Sequence, residues 1–179
     1  MTNLGLPVPP GFTISTDACK AYMAGDDTLP DGLMDQVAAA RDALEADMGK
    51  RLGDGTDPLL VSVRSGAAFS MPGMMDTVLN LGLNDESVAG LAKQTNNERF
   101  AYDSYRRFLS MYARIVLGVD GEHFDRLLDT AKEWDGATTD ADVSAETLRR
   151  LCERYKDVVK RETGKPFPQD PKVQLKGAI

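Results

Sequence analysis

Arg64 and Asp76 are the only two charges in residues 59–83, LLVSVRSGAAFSMPGMMDTVLNLGL, within a chain that is 27% charged. Arg64 follows Leu59-Leu60-Val61-Ser62-Val63, a β-branched run, and precedes the small residues Ser65-Gly66-Ala67-Ala68. An arginine at such a strand end is expected to bury its aliphatic stem, and its charge then needs a carboxylate or an anionic ligand. The small residues beside it leave room for a ligand, and a guanidinium fork matches phosphate oxygens. Downstream, Ser70-Met71-Pro72-Gly73-Met74-Met75-Asp76-Thr77 has a glycine at its middle and hydroxyls near both ends. Such a loop can turn backbone amides toward an anion. It is not a Walker A motif, because no G-K-[ST] is present and the glycines are sparse. Two other readings stand beside this one: a buried connection between strands at 60–63 and 77–81, or methionine packing over an adenine or another domain.

The other polar candidates carry less chemistry. His123, the single histidine, lies between Glu122 and Asp125 with no ligand partner at i+4, which predicts a solvated or capping side chain. Arg106, Arg107 and Arg114 are expected on an exposed, salt-bridged helix face. The acidic residues form no metal-binding cluster, so no metal ligand is assigned. No Ser-His-Asp or Cys-His spacing is present, so no catalytic residue is assigned either. Cys19 and Cys152 lack C-x-x-C spacing and read as free thiols of a reduced, cytoplasmic protein.

The elements that must position Arg64 and the loop follow from periodicity. A proline-rich approach at residues 6–10 leads to an expected short strand, Phe12-Thr13-Ile14. Thr16 or Asp17 caps a brief helix to about Met23. A second helix has Pro30 in its first turn, Leu33, Met34, Val37, Ala38, Leu44 and Met48 at near-helical spacing, and Gly53 at its end. After Leu83 helices dominate. Asn84 or Asp85 caps one to about Gln94. Asn97 caps a long one with Phe100, Tyr105, Phe108, Leu109, Tyr112, Ile115 and Val116 on one face. Residues 121–134 form another. Ser144 caps a helix with Leu148, Leu151, Cys152, Tyr155, Val158 and Val159 inward, broken at 164–168. Residues 170–179 are expected to be first helical turns too short to bury anything. At 179 residues, 42% hydrophobic content and net charge −7, the chain can bury a core. It has no basic stripe for nucleic acid and no apolar run long enough for a membrane.

Taken together, VSVRSGAAFSMPGMMDTVLNLGLND, GLPVPPGFTIST, ERFAYDSYRRFLSMY and the closing FPQDPKVQLKGAI resemble the amino-terminal nucleotide-binding region of the pyruvate, phosphate dikinase family. The resemblance runs over nearly the whole chain. Phosphoenolpyruvate synthases share the strand-Arg-Ser start but have a different loop where SMPGMMDT stands. The resemblance implies an ATP-grasp fold here and the reaction ATP + phosphate + pyruvate to AMP + diphosphate + phosphoenolpyruvate. That reaction uses Mg²⁺ and a phosphohistidine on a separate swivelling domain. By position, Arg64 matches the family's arginine at the ATP phosphates, Gly73 and Thr77 match loop positions that contact nucleotide, and Asp76 between them is assigned an orienting role.

The departures bear on activity. The family's Gly-Gly-Lys-Gly segment, whose lysine contacts ATP, would precede Met1, and its acidic metal ligands would follow Ile179. The phosphohistidine and the pyruvate-site cysteine belong to other domains, and Cys19 and Cys152 match neither role. The expectation is therefore an α+β fragment of an ATP-grasp domain. Residues 1–83 form a small α/β part, 84–168 a helical subdomain, and 169–179 the start of a truncated helix returning to the first part. Its partners would be ATP and the remaining domains of the same enzyme, commonly a dimer in this family, and the piece alone is expected to be inactive. Two alternatives are a free-standing helical interaction or regulatory module, and a phosphoenolpyruvate synthase-like relative.

Overall fold

A computed structural model of the chain describes residues 4–5, 7–25, 28–66 and 76–179. The chain divides into two compact units, Met1–Lys50 and Arg51–Ile179.

The first unit holds helices α1 (Thr16–Ala24) and α2 (Leu33–Met48). Two expectations fail here. Phe12, Thr13 and Ile14 form no strand among the described residues, because no second strand in the unit offers them a ladder. Helix α2 starts after Pro30, at a left-handed Gly32, and ends at Gly49 (φ 64°) rather than Gly53. Gly49 donates to the carbonyl of Ala46 and Lys50 to that of Glu45, a glycine-terminated helix end. Helix α1 is preceded by Ser15, not capped by Thr16 or Asp17. Val37 alone among the α2 residues is buried, and α1 has no buried residue.

The second unit contains the strands and the long helices. Strands β1 (Arg51–Leu52) and β2 (Pro58–Leu59) form a short parallel pair. The expected strand through residues 60–63 is interrupted at Leu60 and resumes as β3 (Val61–Arg64). It pairs antiparallel with β4 (Thr77–Leu81), in register Val61↔Leu81, Val63↔Val78 and Arg64↔Thr77. Ser62 therefore faces two residues of β4, and the bulge places Asn80 at φ 58°. Asparagine is among the few residues that adopt this left-handed conformation routinely.

Four helices follow: α3 (Ser87–Thr95), α4 (Glu98–Ile115), α5 (Glu122–Asp135) and α6 (Ala145–Thr163). Their starts follow the predicted caps closely. Asn97 accepts from the amide of Phe100 at 2.9 Å, and Ser144 from that of Thr147 at 3.2 Å. Ahead of α3, Asn84 Oδ1 accepts from the amides of Glu86 and Ser87 at 3.0 and 2.7 Å, while Ser87 Oγ accepts from the Asn84 amide at 2.8 Å. Helix α4 packs against α3, α6 and β4, and α5 against α6. All six predicted inward residues of α6 are buried. On α4, Tyr105, Phe108, Leu109 and Tyr112 are buried, but Phe100 and Ile115, at the two ends of the helix, are exposed. Arg106 also departs from expectation. It is buried against Asp103, with Nη2–Oδ1 at 2.7 Å, and reaches Asp140 at 3.5 Å, whereas Arg107 is exposed as predicted and pairs with Asp103. A helix stripe wide enough to meet both α3 and α6 takes in a position the polar pattern had put outside.

The final helix, α7 (Pro171–Ala178), overturns the expectation that it buries nothing. Asp170 caps it by accepting from the Lys172 amide at 2.8 Å, and Pro171 suits its first turn. Gln174 is fully buried: its Oε1 accepts from the Gly82 amide at 3.1 Å, and its Nε2 donates to the carbonyls of Leu83 and Pro168 at 3.0 and 2.8 Å. Tyr112 Oη donates to the Gln174 carbonyl at 3.2 Å, and Phe167 packs edge-on against Phe108 and Tyr112. Eight residues of helix suffice because polar side-chain bonds, rather than a wide apolar face, fix it to the end of β4.

Candidate functional site

The β3–β4 hairpin decides where the predicted site residues stand. Along β3, Val61 and Val63 are half-buried while Ser62 and Arg64 face out. Arg64 is thus exposed, contrary to the expectation of a buried stem. Its strand belongs to a two-stranded sheet whose other strand, β4, packs onto α4 and α7, and the outward positions of β3 remain in water. Among the described residues the Arg64 guanidinium has no ion-pair or hydrogen-bond partner. Arg99 and Arg106, by contrast, are committed: Arg99 donates to the carbonyls of Val143 and Asp140 at 3.0 and 2.7 Å, and Arg106 is held by its carboxylates.

Arg64 and Thr77 are directly opposed, which sets their side chains on the same face of the hairpin. Asp76, exposed, precedes Thr77. Beyond this last pair, the Ser65 amide and the Ser65 hydroxyl both donate to the Asp76 carbonyl, at 3.1 and 3.2 Å. The structure therefore brings Arg64, Asp76 and Thr77 together at one end of the hairpin. Gly73 lies outside the described residues, as do the other loop residues through Met75. Ser65, in sequence only a small turn residue, joins the set. A hydroxyl directly after a strand-terminal arginine was the available signal.

Chemically, this end offers an oxyanion the Arg64 guanidinium and the Thr77 hydroxyl as donors, while the Ser65 hydroxyl is spent on the Asp76 carbonyl and the Asp76 carboxylate is an acceptor only. Asp76 is its only acidic side chain, and among the described residues no three His, Cys, Asp or Glu gather to ligate one. The groove of the first unit, lined by Phe12, Ile14, Leu33 and Val37 beside Ser15 and Gln36, carries no cation among the described residues for a phosphate. Its one charged lining residue is the anionic Asp31.

The remaining polar clusters serve packing. Asp85 accepts from Tyr105 Oη at 2.9 Å and from Lys156 Nζ at 2.8 Å, while Gln169 donates to Tyr105 Oη at 3.2 Å. Burial raises the Tyr105 phenol well above its ordinary range. Backbone amides of Asp57 and Thr56 hold Asp54 below the usual carboxylate value, and the Ser144 amide and Thr147 hydroxyl do the same for Asp135. His123 is partly exposed, 3.6 Å from Glu162. Both thiols are free, and burial pushes that of Cys152 up, away from the reactive thiolate.

No family model matches the chain. It is 52% identical over 180 residues to the pyruvate, phosphate dikinase of Clostridium symbiosum, covering all of this chain and 21% of that protein. To the Giardia intestinalis dikinase it is 54% identical over 179 residues, 20% of that protein. To pyruvate, phosphate dikinase 1, chloroplastic, of Oryza sativa it is 52% identical over 179 residues, 19% of that protein. From end to end, then, the chain matches pyruvate, phosphate dikinase at about half of its positions, and it spans about a fifth of the length of the curated relatives.

Proposed function

We propose that the chain is the amino-terminal nucleotide-binding portion of a pyruvate, phosphate dikinase, with an ATP-grasp fold, and that its β3–β4 hairpin supplies part of the ATP phosphate site. Arg64 neutralises phosphate charge, Thr77 and the Gly73 loop position contact nucleotide, and Asp76 orients the loop. The observation that carries this is the pairing of an exposed, uncommitted Arg64 with Thr77 at one strand end, in a chain about half identical to dikinases throughout. Phosphoryl transfer depends chiefly on positioning and charge neutralisation, and a free guanidinium contributes both.

In this reading the reaction belongs to the longer enzyme. Mg²⁺ and the phosphohistidine domain act through residues outside this set, and no catalytic step is assigned to the chain alone. The isolated chain is not expected to convert ATP to AMP. Dimerisation and a cytoplasmic location are likewise proposals. The rice relative is named as chloroplastic, and among the described residues no helix is long and apolar enough to cross a membrane.

The test grafts these 179 residues into the Clostridium symbiosum dikinase in place of the matching segment. The graft should form phosphoenolpyruvate from ATP, phosphate and pyruvate. Arg64→Ala in the graft should lower kcat/KM for ATP by about 10- to 150-fold, the loss of a charge-assisted hydrogen bond worth roughly 1.5–3 kcal/mol. Unchanged ATP kinetics in Arg64→Ala would refute the assignment.

A further inference from the structure

Resting on that reading, we propose that Ser65 is a positioning residue for the phosphate site, clipping the two strand ends together so that Arg64 and Thr77 present one face to an oxyanion. Three observations on the hairpin carry this. Ser65 follows the last ladder pair, Arg64↔Thr77. Its amide and its hydroxyl converge on a single acceptor, the Asp76 carbonyl, at 3.1 and 3.2 Å. Arg64, Ser65 and Asp76 are all exposed, so little packing holds this end closed.

The physical logic follows from that geometry. A terminal strand pair in water frays, because each of its backbone bonds competes with solvent. A second donor from the same residue makes opening cost two bonds rather than one. It leaves the carboxylate of Asp76 uncommitted, since the backbone carbonyl of Asp76 accepts both bonds. While the end is closed, the Arg64 and Thr77 side chains are neighbours on one face. When it opens, their separation is no longer fixed. Ser65 thus acts through Arg64 and Thr77, and its hydroxyl already has a partner within the chain.

The test uses the graft and the 179-residue chain in parallel. In the graft, Ser65→Ala should raise KM for ATP by about 2- to 12-fold, the range of one neutral hydrogen bond, with kcat little changed, and Ser65→Thr should restore it. A normal KM in Ser65→Ala, in a graft where Arg64→Ala is impaired, overturns this inference alone. Normal kinetics in both variants overturn the site reading and this inference with it. In the 179-residue chain, without nucleotide, Ser65→Ala should speed hydrogen exchange at the residue-65 amide by a similar factor while α4 amides stay protected. Unchanged exchange at that amide overturns the clip even where a graft fails to fold. An exchange rate that rises equally in α4 overturns it too, because the effect would then be global loss of stability.

Discussion

Removing the Gln174 amide should destabilise the second unit more than any surface change in the chain. Its side chain serves three backbone groups: the Gly82 amide and the Leu83 and Pro168 carbonyls. Gln174→Leu keeps the size but removes the partner of each. A buried polar group left unpaired costs about 1–3 kcal/mol, so three cost roughly 3–9. The more apolar leucine returns about 1–2 kcal/mol. The net loss is about 4 kcal/mol at mid-range, a large part of a typical domain's stability. Across the 129 residues of Arg51–Ile179, with a per-residue unfolding entropy of about 2.1 cal/mol/K, this lowers Tm by roughly 15 °C. Trp134 is the only tryptophan and lies in α5, so fluorescence-detected melting reports on this unit. Gln174→Glu sharpens the test. It keeps an acceptor for Gly82 but turns an oxygen toward two carbonyls, which raises the folded pKa of the new carboxyl. Its stability is then greatest below the unfolded pKa of about 4.3 and is lost as pH rises through the folded value. The deficit against the parent chain should shrink on acidification from neutral pH. A Tm for Gln174→Leu within a few degrees of the parent, or a pH-independent deficit for Gln174→Glu, would refute the reasoning.

Two further outcomes test the same unit. A Cβ on Gly90 would stand 2.3 Å from the Gly55 carbonyl oxygen and 2.7 Å from its carbon. Gly90→Ala must therefore push α3 off the backbone of the 53–58 turn and should cost about 1–3 kcal/mol in a denaturant melt, despite alanine's better helix propensity. At alkaline pH the buried phenols set the limit: burial pushes Tyr112 and Tyr155 up to about 12, and Tyr105 higher still. Groups whose folded pKa exceeds the unfolded value near 10 contribute stability that is full below that value and lost as pH rises through the folded one. A pH titration should show these three phenolates appearing together with loss of helical circular dichroism. Their ionisation in a still-helical protein would count against the packing described.

Helices were legible where their local signals agreed. Asn97 and Ser144 cap as predicted, and the i, i+3, i+4, i+7 pattern from Leu148 to Val159 is buried throughout. What stayed hidden was decided by partners distant in sequence. Arg106 has the look of a surface residue, yet its face turns inward where α4 meets both α3 and α6, with Asp140 reaching it from 34 positions on. Gln174 reads as polar surface on a short helix, yet its three partners lie in the turn after β4 and the approach to α7. Phe12-Thr13-Ile14 has strand composition but no ladder partner among the described residues of its unit. Strand propensity describes fit to a pleated neighbour, not a property of the segment alone.

Arg64 shows how the same limit bears on function. The sequence predicts a buried stem for Arg64 and the structure leaves it exposed, because burial at a strand end depends on how many strands flank it. In water, an exposed arginine gains only about 0.2–1 kcal/mol from a single anionic partner. That is too little to account for an effect of 10- to 150-fold. The size of the Arg64→Ala effect therefore reports on more than contact. A loss of less than about five-fold in the graft would mean that Arg64 meets phosphate while still solvated, and that it only steers. A loss near a hundred-fold would mean that other parts of the dikinase close over the hairpin end and exclude water from the pair, strengthening each charge-assisted bond. The second outcome follows from the proposed reading, since an exposed hairpin end presenting one guanidinium cannot desolvate a triphosphate by itself.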